Sequence, residues 1–171
     1  MCGIAGFINL NNSPASPVYL KRMTDSIAHR GPDGEGHFVD GAVGIGHRRL
    51  AIIDLSPAAS QPMTESENRY VISYNGEVYN YKTLRSELMA LGHHFNSQSD
   101  TEVVLRSFIQ WGAKSVSKLN GMFAFVIWDR VENKMFIARD RYGIKPLYYF
   151  QNNIIKILLL LYDITLLNSI Y

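Results

Sequence analysis

The chain has 171 residues, 17 Lys and Arg against 15 Asp and Glu, a net charge of +2 and 47% hydrophobic residues. This length suits one domain with its own core, and the nearly neutral charge provides no basic field for nucleic acid. A single cysteine excludes an internal disulfide and a thiolate zinc site. The amino terminus lacks a basic segment followed by a long apolar run, so we expect a cytoplasmic rather than a secreted domain.

The first third of the chain predicts a strand, a helix and a hairpin. An apolar run over residues 3–10 indicates a buried strand, and apolar residues at helical spacing indicate a short helix over 18–28. Between residues 37 and 53 the pattern alternates around Asp40-Gly41, which is the strongest hairpin signal in the chain. We expect a polar loop over 54–68.

Four further strands follow from similar patterns. Residues 69–75 predict a strand that stops at Asn75-Gly76, a dipeptide typical of tight turns. Residues 122–129 and 134–140 predict two strands joined by a polar turn, and 146–150 predict a last short strand.

Two amphipathic helices lie between these strands. The first is predicted over 78–91, closed by Gly92, and its apolar face comprises Tyr81, Leu84, Leu88 and Leu91. The second begins at Ser99, which with Glu102 has the form of a capping box, and ends near Gly112. Strands and helices in separate blocks favour an α+β fold with antiparallel sheets packed under helices.

The last segment, residues 151–171, differs in composition from the rest. It is rich in Ile, Leu and Asn, and only Lys156 and Asp163 are charged. Its longest apolar run, residues 157–162, is too short to cross a membrane, so we expect no membrane association. Two interpretations remain open, a helix docking on the domain and a truncated or frame-disrupted end of a longer protein.

The cysteine stands at position 2, where removal of Met1 would leave it with a free α-amine. That amine has a pKa near 8 and a thiol one of about 8.5, so the amine can accept the thiol proton. Nucleophile and base would then lie on one residue. The alternative is a small, inert hydrophobic residue at the start of a buried strand.

Seven motifs occur in order along the chain: MCGIAGF, HRGPDGEG, GHRRLAIIDLS followed by Gln61-Pro62-Met63, YNGEVYNY, SDTEV, LNGMFAFVIWD and ARDRYGIKPLYY. Together they resemble the N-terminal glutaminase domain of glutamine-dependent asparagine synthetases, which are class II glutamine amidotransferases. The resemblance covers residues 1–150. It implies a four-layer α-β-β-α sandwich of two antiparallel sheets, of the N-terminal-nucleophile hydrolase type.

The resemblance implies that Cys2 is the nucleophile that hydrolyses L-glutamine to L-glutamate and ammonia, and that its α-amine is the base. Asn75 and Gly76 match the oxyanion hole of the family, through a side-chain amide and a backbone N–H. From the dipeptide alone, a tight turn is the alternative.

Substrate recognition is assigned by the same resemblance. Arg49 matches the residue that binds the α-carboxylate of glutamine, and Asp100 matches the partner of its α-ammonium, with Glu77 nearby. From spacing alone, a surface Arg and a carboxylate capping a helix are the alternatives. The run after Arg49 is expected to line the substrate pocket through Leu50, Ala51, Ile52 and Ile53.

No metal site is expected, because the histidines lack ligand spacing and residues 33–36 lack the pattern of a calcium loop. The ATP- and Mg-dependent synthetase domain of the family has no counterpart in this sequence, so the chain is expected to need no cofactor. The expected substrate is L-glutamine, and a homodimer or a separate synthetase chain is the expected partner. The alternatives are another ammonia acceptor, such as a sugar in polysaccharide synthesis, and an inactive remnant.

Overall fold

A computed structural model describes residues 2–159, which form two antiparallel sheets. In spatial order, the first sheet contains β2 (Gly34–Asp40), β3 (Val43–Arg49), β1 (Gly3–Asn9), β9 (Ile155–Leu159) and β8 (Tyr148–Gln151). The second contains β4 (Met63–Thr64), β5 (Tyr70–Val78), β6 (Gly121–Asp129) and β7 (Lys134–Arg139). Every pair of neighbouring strands is antiparallel.

The helices cover the outer faces of the two sheets. Helix α1 (Pro17–Ser26) buries Leu20 and Met23 against Phe7 of the first sheet. The second sheet packs against α2 (Tyr81–Ala90) and α3 (Asp100–Trp111), with the short α4 (Ser115–Lys118) after them. A third apolar cluster lies between the sheets and contains Ile4, Val43, Ile45, Val71, Ala124, Val126 and Trp128. The predicted four-layer α-β-β-α sandwich is therefore confirmed.

Successive side chains of β5 pack in two different apolar clusters, one on each face of the sheet. Val71 packs in the layer between the sheets, whereas its neighbour Ile72 packs under the helices. Because successive side chains of a strand point to opposite faces, a strand buried on both faces needs apolar residues at almost every position. The apolar run of β6 has the same cause, since Phe125 faces the helices and Val126 faces the other sheet.

Local signals placed several boundaries correctly. The Asp40-Gly41 turn joins β2 to β3, and Gly41 has a φ of +53°. Helix α3 begins where Ser99 Oγ accepts the backbone N–H of Glu102 at 3.3 Å. The carboxylate of Glu102 accepts instead from the backbone N–H groups of Asn96 and Ser97, so only one half of the capping box is present.

The predicted end of a strand at Asn75-Gly76 is wrong, because β5 continues through it to Val78. Gly76 pairs with Phe123, and a Cβ on Gly76 would lie 2.5 Å from the carbonyl oxygen of Met122. The glycine therefore permits a close approach of β5 to β6 and makes no turn. Leu91, predicted on the apolar face of α2, follows the end of that helix and is exposed.

The final segment begins with a strand, not with the helix that was one of its two interpretations. Ile155–Leu159 forms β9, which lies between β1 and β8 in the first sheet. Residues 160–171 lie outside the described part of the chain. Within the described residues, no helix is both long and apolar enough to cross a membrane.

Candidate active site

A cavity of about 130 Å³ lies where β1 begins, β3 ends and α3 begins. A single water needs only about 10–15 Å³, so the cavity has room for a small molecule. It is lined by every residue that the sequence proposed for the site: Cys2, Arg49, Leu50, Ala51, Ile52, Ile53, Asn75, Gly76, Glu77 and Asp100. Residues up to 98 positions apart in the sequence thus converge on one site.

The thiol of Cys2 contacts the loop that follows β3. Its Sγ accepts the backbone N–H of Leu50 at 3.3 Å and lies 3.5 Å from the carbonyl oxygen of Leu50. Desolvation by partial burial raises the pKa of the thiol, while the Leu50 hydrogen bond and the positive charge of Arg49 oppose the rise. A thiolate at neutral pH therefore needs a base close to the sulfur.

Asn75 presents an amide donor to the same cavity. The side chain is 2% exposed, and its Nδ2 has no hydrogen-bond partner among the described residues. An unpaired buried donor costs about 1–3 kcal/mol, so such groups call for an explanation. A negatively charged oxygen in the cavity would satisfy this amide.

Charged side chains of both signs line the cavity, among them Asp100 and Arg49. The carboxylate of Asp100 is buried, and its Oδ2 accepts the hydroxyl of Tyr74 at 2.7 Å and the N–H of Val78 at 3.0 Å. Burial raises the pKa of Asp100, and the two hydrogen bonds oppose the rise. Arg49 is the last residue of β3, and its guanidinium donates to the carbonyl oxygens of Asp54 and Ser56 in the loop that follows. A free amino acid carries the complementary pair of charges.

Sequence reasoning missed several residues of the cavity, among them Gln61, Tyr74, Ser99, Thr101 and Lys145. Tyr74, Ser99, Thr101 and Lys145 stand within the quoted motifs and Gln61 follows one of them, which was the available signal. Tyr74 matched an ordinary core position of a strand. Lys145 is 3% exposed, and this desolvation lowers the pKa of its ammonium group.

His47 is another buried polar residue beside the site. It lies on β3, and its Nε2 is 3.1 Å from the carbonyl oxygen of Tyr74. Complete burial lowers the pKa of His47 to about 4, so the ring is neutral at pH 7. No cluster of three His, Cys, Asp or Glu suited to a metal ion occurs within residues 2–159.

The two packed antiparallel sheets between helices have the fold of the N-terminal-nucleophile hydrolases. The architecture of the chain matches that of the glutamine phosphoribosylpyrophosphate amidotransferase of B. subtilis, with a TM-score of 0.78 and 24% sequence identity. The match covers 92% of this chain and 41% of that protein.

The chain belongs to the glutamine amidotransferase domain family, whose model matches residues 1–159. It is 46% identical over 152 residues to asparagine synthetase [glutamine-hydrolyzing] 1 of Bacillus subtilis (strain 168), covering 87% of this chain and 24% of the relative. It is also 42% identical over 161 residues to amidase chry2 of Gibberella zeae, covering 87% and 24%. The chain thus spans about a quarter of the length of these relatives. The predicted family of glutamine amidotransferase domains is confirmed.

Proposed function

We propose that this domain hydrolyses the side-chain amide of L-glutamine to give L-glutamate and ammonia. The observation that supports this proposal most directly is that a thiol, an unpaired buried amide donor and side chains of opposite charge line the same cavity. Acyl transfer on a free amino acid needs these groups: a nucleophile, an oxyanion donor, and partners for a carboxylate and an ammonium.

Recognition of the substrate would use the charges of both signs in the cavity lining. The planar guanidinium of Arg49 suits bidentate binding of the α-carboxylate. Asp100 would bind the α-ammonium, with Glu77 as a second carboxylate on the same lining. The backbone from Leu50 to Ile53 would then lie along the substrate, with the thiol of Cys2 hydrogen-bonded to its first residue.

The proposed chemistry begins when removal of Met1 exposes the α-amine of Cys2. The amine accepts the thiol proton, and the sulfur attacks the amide carbon of glutamine. The oxygen of the tetrahedral intermediate gains negative charge and is stabilised by Asn75 Nδ2 and the N–H of Gly76. Collapse breaks the carbon–nitrogen bond, the α-amine returns its proton to the leaving ammonia, and a thioester forms. Water then attacks the thioester, which releases glutamate and restores the thiol.

The proposed fate of the ammonia follows from the relatives. Three Bacillus subtilis relatives are named as glutamine-hydrolysing asparagine synthetases. We therefore propose aspartate as the acceptor, activated with ATP and Mg by a synthetase domain or chain. Hydrolysis itself uses only the groups of this chain, so it is expected to need no cofactor.

The test is release of ammonia and glutamate from glutamine by the purified chain, with intact mass to verify the loss of Met1. Cys2→Ala is expected to lower turnover by more than about a thousandfold, because no other group can form the thioester. Cys2→Ser is the matched control, since it retains the α-amine but carries a weaker nucleophile. Turnover retained by a folded Cys2→Ala variant would contradict the proposal.

A further inference from the structure

Strand β4 is only two residues long and begins at Met63, so among the described residues no strand pairs with β5 beyond Ile72 on that side. Met63 pairs with Ile72, and Thr64 pairs with Val71. Extending this register by two residues places Gln61 opposite Tyr74. Gln61 contacts Tyr74 through its side chain: Gln61 Oε1 accepts the backbone N–H of Tyr74 at 2.6 Å.

The other half of the Gln61 carboxamide reaches the first turn of α3. Gln61 Nε2 donates to Thr101 Oγ1 at 3.2 Å, and Thr101 is the neighbour of Asp100 in the sequence. The hydroxyl of Tyr74 donates to Asp100 Oδ2 at 2.7 Å. Gln61, Thr101, Asp100 and Tyr74 thus form a closed ring that joins β5 to α3. All four side chains are at least 92% buried.

The ring holds the backbone next to Asn75, the residue that carries the proposed oxyanion donor. Tyr74 directly precedes Asn75 in β5, and the carbonyl oxygen of Tyr74 lies 3.1 Å from His47 Nε2. Both backbone polar groups of Tyr74 are therefore fixed by side chains. A shift of this backbone would move Asn75 relative to Asp100, and a misplacement of about 1 Å in an active site can cost a hundredfold in rate.

We propose that Gln61 is a positioning residue, which holds the amide of Asn75 in register with the carboxylate of Asp100. The inference rests on the proposed glutaminase function. A carboxamide suits this position because it accepts from a backbone N–H and donates to a hydroxyl at the same time. Glutamate can accept from Tyr74 equally well, and the Thr101 hydroxyl can turn to donate to it.

Gln61→Met is the main test, since it retains the length of the side chain and removes both hydrogen bonds. We expect kcat for glutamine to fall by about 10- to 100-fold, with KM changed less than about threefold. Gln61→Glu, the matched conservative variant, is expected to recover most of the loss. An unchanged kcat in a folded Gln61→Met variant would overturn the inference.

A double-mutant cycle with Asn75→Ala separates positioning from general stability. If Gln61 acts through Asn75, Gln61→Met should cost less than about twofold in the Asn75→Ala background. A purely structural role would lower turnover equally in both backgrounds, and that result would overturn the inference. Thermal unfolding of all four chains verifies that each is folded.

A second variant covers the case in which Gln61→Met does not fold. Thr101→Val removes only the bond from Gln61 to α3, and kcat is expected to fall about three- to tenfold, again only when Asn75 is present. No loss in Thr101→Val would overturn the inference. A wild-type chain without Cys2-dependent turnover would instead overturn the proposed function and this inference together, so the two failures are distinguishable.

Discussion

The layer between the two sheets has two ends of opposite character. At one end, Val43, Val71 and Val126 pack in an apolar cluster. At the other end, beside the cavity, the same strands carry polar side chains in place of valines: His47 on β3, and Ser73 and Asn75 on β5. His47 Nδ1, Ser73 Oγ and Asn75 Nδ2 are buried without a hydrogen-bond partner among residues 2–159.

The unpaired buried groups at the polar end of this layer lower the stability of the domain, and the apolar end has no such groups in its valines. Alternate residues of one strand face the same layer, so β5 changes from Val71 to Ser73 and Asn75 without any change in backbone geometry. Each unpaired buried polar group costs about 1–3 kcal/mol relative to a satisfied one. The apolar end stabilises the fold, whereas at the polar end Asn75 lines the cavity with an unpaired donor that could meet the proposed substrate.

Among substitutions at the two ends of this layer, the largest expected effect is that of Asn75→Ala. Asn75→Ala should lower kcat for glutamine by about 100- to 1000-fold, because it removes an oxyanion donor. The free energy of unfolding should change by less than about 1 kcal/mol, since the donor that is lost is unpaired in the folded chain. Urea unfolding and ammonia release measure both. A large loss of stability with little loss of kcat would reverse the comparison of the two ends.

The second-largest expected effect is a pH dependence of the free energy of unfolding, caused by His47 at the polar end. The folded chain keeps His47 neutral down to a pKa of about 4, whereas the unfolded chain protonates this residue near 6.5. The unfolded state therefore gains a proton first, and the free energy of unfolding falls by about 3 kcal/mol between pH 6.5 and 4. Below pH 4 this contribution no longer changes.

His47→Gln is the control for that pH dependence, because it retains a donor for the carbonyl of Tyr74 and does not titrate. Urea unfolding of both chains at several pH values between 7 and 4 isolates the contribution of His47. Equal slopes of stability against pH in the two chains would contradict the burial of a neutral ring.

The smallest expected effect is that of a substitution at the apolar end of the layer. Ile45→Val removes one methylene group from a side chain that is 0% exposed and should cost about 0.5–1.5 kcal/mol of unfolding free energy. Turnover of glutamine should stay within about twofold, since Ile45 does not line the cavity. A clear loss of turnover would mean that packing at the apolar end sets the geometry of the site.

Local patterns predicted most elements because their signals lie within a few residues. The Asp40-Gly41 turn, the Ser99 cap and the apolar spacing of α1 and α3 all depend on neighbours in the sequence. The wrong strand end at Asn75-Gly76 shows the limit of this reasoning. Whether that dipeptide makes a turn depends on whether Phe123, distant in the sequence, pairs with it.

The sequence by itself predicted most of the strands and helices, the family, and the residues proposed for the site. Only the tertiary structure showed that the amide of Asn75 is unpaired, and that Gln61 joins Tyr74 to Thr101. The physical reason is the range of the interactions. Periodicity records which face of an element is buried, whereas the partners of a buried polar group are fixed when sheets and helices pack against one another.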